Sequence, residues 1–68
     1  MSPLTIDRIK KAKGSVKVVP LTLSEGTSVQ QYAIQVLENG AWVNVFVNPD
    51  RSLCEQAVRK ATSQVILG

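Results

Sequence analysis

Tyr32-Ala33-Ile34-Gln35-Val36-Leu37-Glu38-Asn39-Gly40-Ala41-Trp42-Val43-Asn44-Val45-Phe46-Val47-Asn48 decides the fold of this chain. Two runs rich in β-branched and aromatic residues meet at Asn39-Gly40. A type I′ turn needs positive φ at both central residues, and Asn and Gly tolerate that conformation best. The stretch therefore predicts a β-hairpin, with one strand over Val29 to Glu38 and the next over Ala41 to Asn48.

A two-residue loop also sets the register, so Glu38 is expected opposite Ala41, Leu37 opposite Trp42 and Val36 opposite Val43, continuing outward. One face then receives Tyr32, Ile34 and Val36 paired with Val47, Val45 and Val43, the natural floor for covering helices. The other receives Gln31, Ala33, Gln35 and Leu37 paired with Asn48, Phe46, Asn44 and Trp42.

Upstream, Val16 to Leu23 reads as a strand. Pro20 cannot donate to a ladder and belongs on an edge. Ser24 to Ser28 is turn chemistry, and a four-residue loop at Glu25 to Ser28 turns Val19, Leu21 and Leu23 toward the core and Val18, Pro20 and Thr22 away from it. Before that strand a short helix is expected over about 3 to 13. Ser2 is its N-cap, with Thr5 as a competing cap, and Pro3 stands at the first helical position. Leu4, Ile6, Ile9 and Ala12 are its apolar positions, and Gly14 supplies the stop.

Downstream, Pro49 and Asp50 end the hairpin, and Ser52-Leu53-Cys54-Glu55 has the form of a capping box that opens a last helix. Within that helix Cys54, Ala57, Val58, Ala61 and Val65 fall on one stripe at helical spacing. The expected fold class is α+β, a single two-layer domain over residues 1–68 in the order α-β-β-β-α with a three-stranded antiparallel meander sheet. Helices usually cover one face of such a sheet and leave the other to water, so Leu37, Trp42, Asn44 and Phe46 form a candidate protein interface.

Composition bounds the chemistry. The 68 residues hold no His and one Cys, so neither an internal disulfide nor a zinc ligand set can form within the chain, and no cofactor or metal is expected. Cys54 sits inside an apolar pattern and reads as a small core residue. No phosphate-binding, metalloprotease or redox motif occurs, and none of the five acids has a partner at a diagnostic spacing, which argues against an enzyme and against a small-molecule substrate. No apolar run approaches a membrane span and the N-terminus lacks an apolar signal core, so a cytoplasmic protein is expected.

Net charge is +3 with pI near 9.4, and its distribution is uneven. Residues 1–17 hold Arg8, Lys10, Lys11, Lys13 and Lys17 against Asp7 alone, whereas 18–50 hold three acids and no Lys or Arg. The five basic residues are the candidate nucleic-acid contacts, each able to neutralise a phosphate. The expectation is a non-enzymatic binding module, a nucleic-acid-associated accessory protein using the basic first helix and the open sheet face. The alternative is a protein-interaction module, either a homodimer or a small regulator of a larger complex.

The order α-β-β-β-α, with Tyr32-Ala33-Ile34-Gln35-Val36 before a hairpin and an amphipathic last helix, resembles the double-stranded RNA-binding domain over nearly the whole chain. That family carries a lysine-rich start to its last helix that grips phosphates. The matching stretch here is Ser52-Leu53-Cys54-Glu55, with Arg51 before it and Arg59-Lys60 after. The three-stranded sheet followed by a helix also looks like the arm-binding N-terminal domains of phage integrases, which read DNA with sheets that carry basic side chains. This sheet has only Lys17 at its margin, and neither resemblance is taken as membership.

Overall fold

A computed structural model describes residues 3–23, 25–26 and 28–67, the last five of them through the backbone alone. The elements are α1 (Pro3–Lys11), β1 (Val16–Pro20), β2 (Tyr32–Glu38), β3 (Ala41–Asn48) and α2 (Arg51–Leu67). The strands form one antiparallel sheet in the order β1-β2-β3, so the α+β class, the element order and the meander are as expected. The expected Ser2 cap lies outside the described residues. Thr5 lies within α1 rather than capping it, and its hydroxyl donates to the Val45 carbonyl at 3.4 Å.

Asn39 (φ 52°) and Gly40 (φ 80°) both take the left-handed conformation that the hairpin demands. From the turn the register runs as expected through Glu38↔Ala41, Leu37↔Trp42, Val36↔Val43 and Gln35↔Asn44. It then slips, because Ile34 pairs with Phe46 and Ala33 with Val47. One extra residue, Val45, is accommodated in β3 as a β-bulge.

The bulge corrects the expected sorting of faces. Phe46 crosses to the helix side, where it and Val45 both pack against the core, while Val47 moves to the open side and is 46% exposed. The physical reason is that β3 alternates only as far as Asn44. Beyond it Val45, Phe46 and Val47 are three consecutive apolar residues, and the bulge lets the largest of them be buried.

β1 is also corrected. It ends at Pro20, and β2 begins at Tyr32, so the connection is longer than the expected loop at Glu25 to Ser28, of which Thr27 lies outside the described residues. The pairing Val16↔Val36, Val18↔Ile34, Pro20↔Tyr32 turns Val16 and Val18 to the core and Lys17 and Val19 to the open face. A one-residue slip of register reverses every side chain of a strand. The parity that would put Val19, Leu21 and Leu23 inward also puts Lys17 inward, at the cost of desolvating an ammonium. One further rung joins the Leu21 N–H to the Gln31 carbonyl at 2.9 Å, and the Gln30 side-chain amide donates to the Leu21 carbonyl at 2.8 Å, closing the connection. Leu23 and Val29 lie exposed within it, outside the strands they were assigned to.

Both helices cover the same sheet face. Ile9 of α1, Ile34 and Val36 of β2, and Cys54 and Ala61 of α2 form the buried core, with Ile6, Val18 and Phe46 packed against it. The stripe of α2 is therefore as read, except that the Val65 side chain lies outside the described residues. Leu4 does not join the core and is 69% exposed.

The start of α2 differs from the expected capping box. Asp50, not Ser52, is the cap: its Oδ1 accepts from the Leu53 N–H at 3.2 Å, and the helix begins two residues earlier than that capping box implies, at Arg51. Asn48 Oδ1 accepts from the Asp50 N–H at 2.8 Å, a local turn that aims Asp50 at the helix end. Glu55 is thereby released from capping and instead accepts from Arg51 Nε at 2.9 Å.

Candidate functional site

The open face of the sheet carries Lys17 and Val19 from β1, Ala33, Gln35 and Leu37 from β2, and Trp42, Asn44 and Val47 from β3. Of the sequence-predicted interface residues, Leu37, Trp42 and Asn44 lie on this face and are exposed, and Phe46 does not. Val19 and Val47 are further members of this face, which the strand patterns in the sequence do not reveal. The charge of Lys17 is the signal that could have placed Val19, since residues two apart on a strand share a face.

Trp42 lies 44% exposed, opposite Leu37, which is 40% exposed. The Lys17 ammonium reaches from β1 across β2 to sit 4.1 Å from the centroid of the Trp42 ring, a cation–π contact spanning the sheet. On the neighbouring rung Gln35 Nε2 donates to Asn44 Oδ1 at 2.8 Å, a single hydrogen bond that links the two amides across the strands. Ala33 is fully buried despite its place on this face, flanked in register by Val19 and Val47.

The basic residues divide by their ion pairs. Arg8 grips Glu38 with both arms of its guanidinium, Nε to Oε2 at 2.8 Å and Nη2 to Oε1 at 2.5 Å, tying α1 to the end of β2. That hydrogen bonding holds the Glu38 carboxyl below its ordinary range and raises Arg8 above its own. Lys11 faces Asp7 at 3.1 Å one helical turn away. Arg51 and Arg59 face Glu55. Lys10, Lys13, Lys17 and Lys60 have no ion pair among the described residues. Three of these four lysines lie between positions 10 and 17.

Topology brings those three to one end of the molecule. Lys13 (φ 51°) and Gly14 (φ 93°) terminate α1 in left-handed geometry, and the Ser15 N–H donates to the Ala12 carbonyl at 3.0 Å. The Ser15 carbonyl then accepts from the Leu37 N–H at 3.1 Å, so the chain leaves α1 beside the closing end of the hairpin. Leu37 and Trp42 stand at that same end. The basic end of α1 and the aromatic end of the open face, which the sequence presents as two separate features, thus lie at the same end of the sheet, α1 on the covered face and Trp42 on the open one, with Lys17 the cation that touches the ring. Arg8 and Lys11 belong to the same helix but are held by carboxylates.

Other chemistry is sparse. Cys54 is fully buried, and burial, with Asp50 and Glu55 adding, pushes its thiol upward and away from the reactive thiolate. Among the described residues no group of three His, Cys, Asp or Glu is placed to hold a metal ion, and no helix is long and apolar enough to cross a membrane. An open groove of about 290 Å³ lies on the helix side, lined by Ile6, Phe46, Leu53 and Ala57 with Lys60 at its margin. Compared with protein families, with curated proteins and with solved structures, the chain matches none of them.

Proposed function

We propose that this chain is a non-enzymatic binding module, a nucleic-acid-associated accessory protein acting in the cytoplasm through the open sheet face and the basic end of α1. The observation that carries the reading is the convergence at one end of the sheet: Lys17 over Trp42 at 4.1 Å, with Lys10 and Lys13 on the segment that leads into β1. A face with an aromatic ring, a cation and no carboxylate suits a polyanion that also carries planar groups. The carboxylates are engaged elsewhere, Asp7 with Lys11, Glu38 with Arg8, Asp50 at the α2 cap and Glu55 with Arg51, while Glu25 lies in the connection between β1 and β2. The absence of His from the sequence and the buried thiol of Cys54 support a role without catalysis and without a small-molecule substrate.

The test is affinity for a generic oligonucleotide measured against salt. Binding falls as salt rises, and replacing Lys10, Lys13 and Lys17 together by Gln flattens the dependence by about two to three contacts. Replacing Arg8 or Lys11 changes the slope less, because each already has a carboxylate. No binding at low salt removes the proposal.

A second reading rests on the exposed cross-strand pair Leu37 and Trp42 with Val47 nearby, which suits a protein partner or a homodimer. Phe46 no longer contributes to it. Sedimentation separates the readings: a dimer that Trp42→Ala returns to monomer favours the second.

A further inference from the structure

We propose that the open face selects single-stranded nucleic acid, stacking one unpaired base on Trp42 while Lys17 moves from the indole to a neighbouring phosphate. This rests on the nucleic-acid reading above and names its substrate class. Lys17 lies over the face of the ring, not its edge, at 4.1 Å from the centroid, so the π-surface of Trp42 is covered on that side by one flexible ammonium. A base offers that surface a larger contact, and the ammonium it displaces stays within one side chain's reach of the phosphate that arrives with the base.

The amides of the next rung argue against duplex readout. Gln35 and Asn44 are residue types that recognise base edges, but here they are bonded to each other at 2.8 Å, and using them in a groove would break that bond. Stacking on Trp42 breaks none. Strand addition by a peptide has only a short run of regular backbone at either border of the sheet, because Pro20 removes one N–H from the edge of β1 and the bulge at Val45 interrupts the edge of β3. What remains is the face, and it carries positive charge without any acid. The chemistry is shared by single-stranded DNA and RNA, since both combine exposed bases with phosphates.

Trp42 is the chain's only tryptophan, so its fluorescence reports the site directly. The wild-type protein is titrated at low salt with oligodeoxyuridine, oligouridine and a DNA duplex, each about twelve nucleotides long, following Trp42 emission and the anisotropy of labelled strands. Both single strands are expected to quench Trp42 saturably and to bind more tightly than the duplex, the tighter of the two identifying the sugar preferred. Trp42→Ala weakens single-strand binding on the order of ten- to a hundredfold and removes the preference over duplex, and Trp42→Phe restores much of it. Because quenching of the wild type needs no variant, a misfolded Trp42→Ala leaves the test intact. Duplex bound as tightly as single strands with Trp42 unquenched overturns the stacking proposal while leaving nucleic-acid binding in place. No binding of any strand overturns both, whereas a change in Trp42 emission on concentrating the protein alone, which means that a second copy covers the face, overturns the stacking proposal.

Discussion

Gly40 stands at φ 80° with open space around the position a Cβ would take, so any cost of a side chain there is paid by the backbone alone. Gly40→Ala is expected to destabilise the chain by about 1 kcal/mol in denaturant titration, without the larger loss that a steric clash would add. Glu38, one residue before the turn, carries the pH dependence. Its carboxyl is held below the ordinary range chiefly by hydrogen bonds from Arg8, so the stabilisation is present at neutral pH and is lost as pH falls through the lowered value. Thermal melts taken from about pH 7 down to pH 3 should fall more steeply for wild type than for Glu38→Gln, and parallel curves would exclude the linkage. Arg8 stays charged across that window.

At the scale of elements, the hairpin turn, the buried face of α2 and the order of strands were legible in the sequence because each follows from local chemistry. Asn39-Gly40 admits one tight turn, and Cys54, Ala57, Val58 and Ala61 recur at one helical spacing. The two departures arise where local patterns are ambiguous. Val45-Phe46-Val47 has no alternation, so only packing against the helices decides which residue goes inward. Val16 to Leu23 has apolar residues on both parities, and the charge of Lys17, which sets Val16 and Val18 inward, is the signal that separates them.

The bulge makes a sharp prediction at this scale. Phe46→Ala should cost about 3 kcal/mol in denaturant titration and Val47→Ala less than about 1, whereas an unbroken register would reverse the ranking. The cap of α2 gives another. Asp50→Ala should cost about 1 kcal/mol, and Ser52→Ala should be close to neutral. A larger loss at Ser52 would restore the capping box with Glu55.

For the whole molecule, fold and candidate site are linked by the way α1 returns to the sheet. The left-handed exit at Lys13 and Gly14, the rung from Ser15 to Leu37 and the clamp of Arg8 on Glu38 together bring the basic segment to the end of the sheet where Trp42 stands on the opposite face. None of these is a property of a single element, which is why the sequence presents a basic helix and an aromatic face without relating them. The same packing removes Arg8 and Lys11 from the set of available cations and leaves Lys10, Lys13 and Lys17.

The most direct test of this account is a map of backbone and indole amide shifts by nuclear magnetic resonance as an oligonucleotide is added to the folded protein. The account predicts that the shifts gather on Lys10 to Lys17, Leu37, Trp42 and Asn44 and spare the exposed face of α2 at Arg59 and Lys60. Shifts centred on α2, or none at low salt, would contradict it.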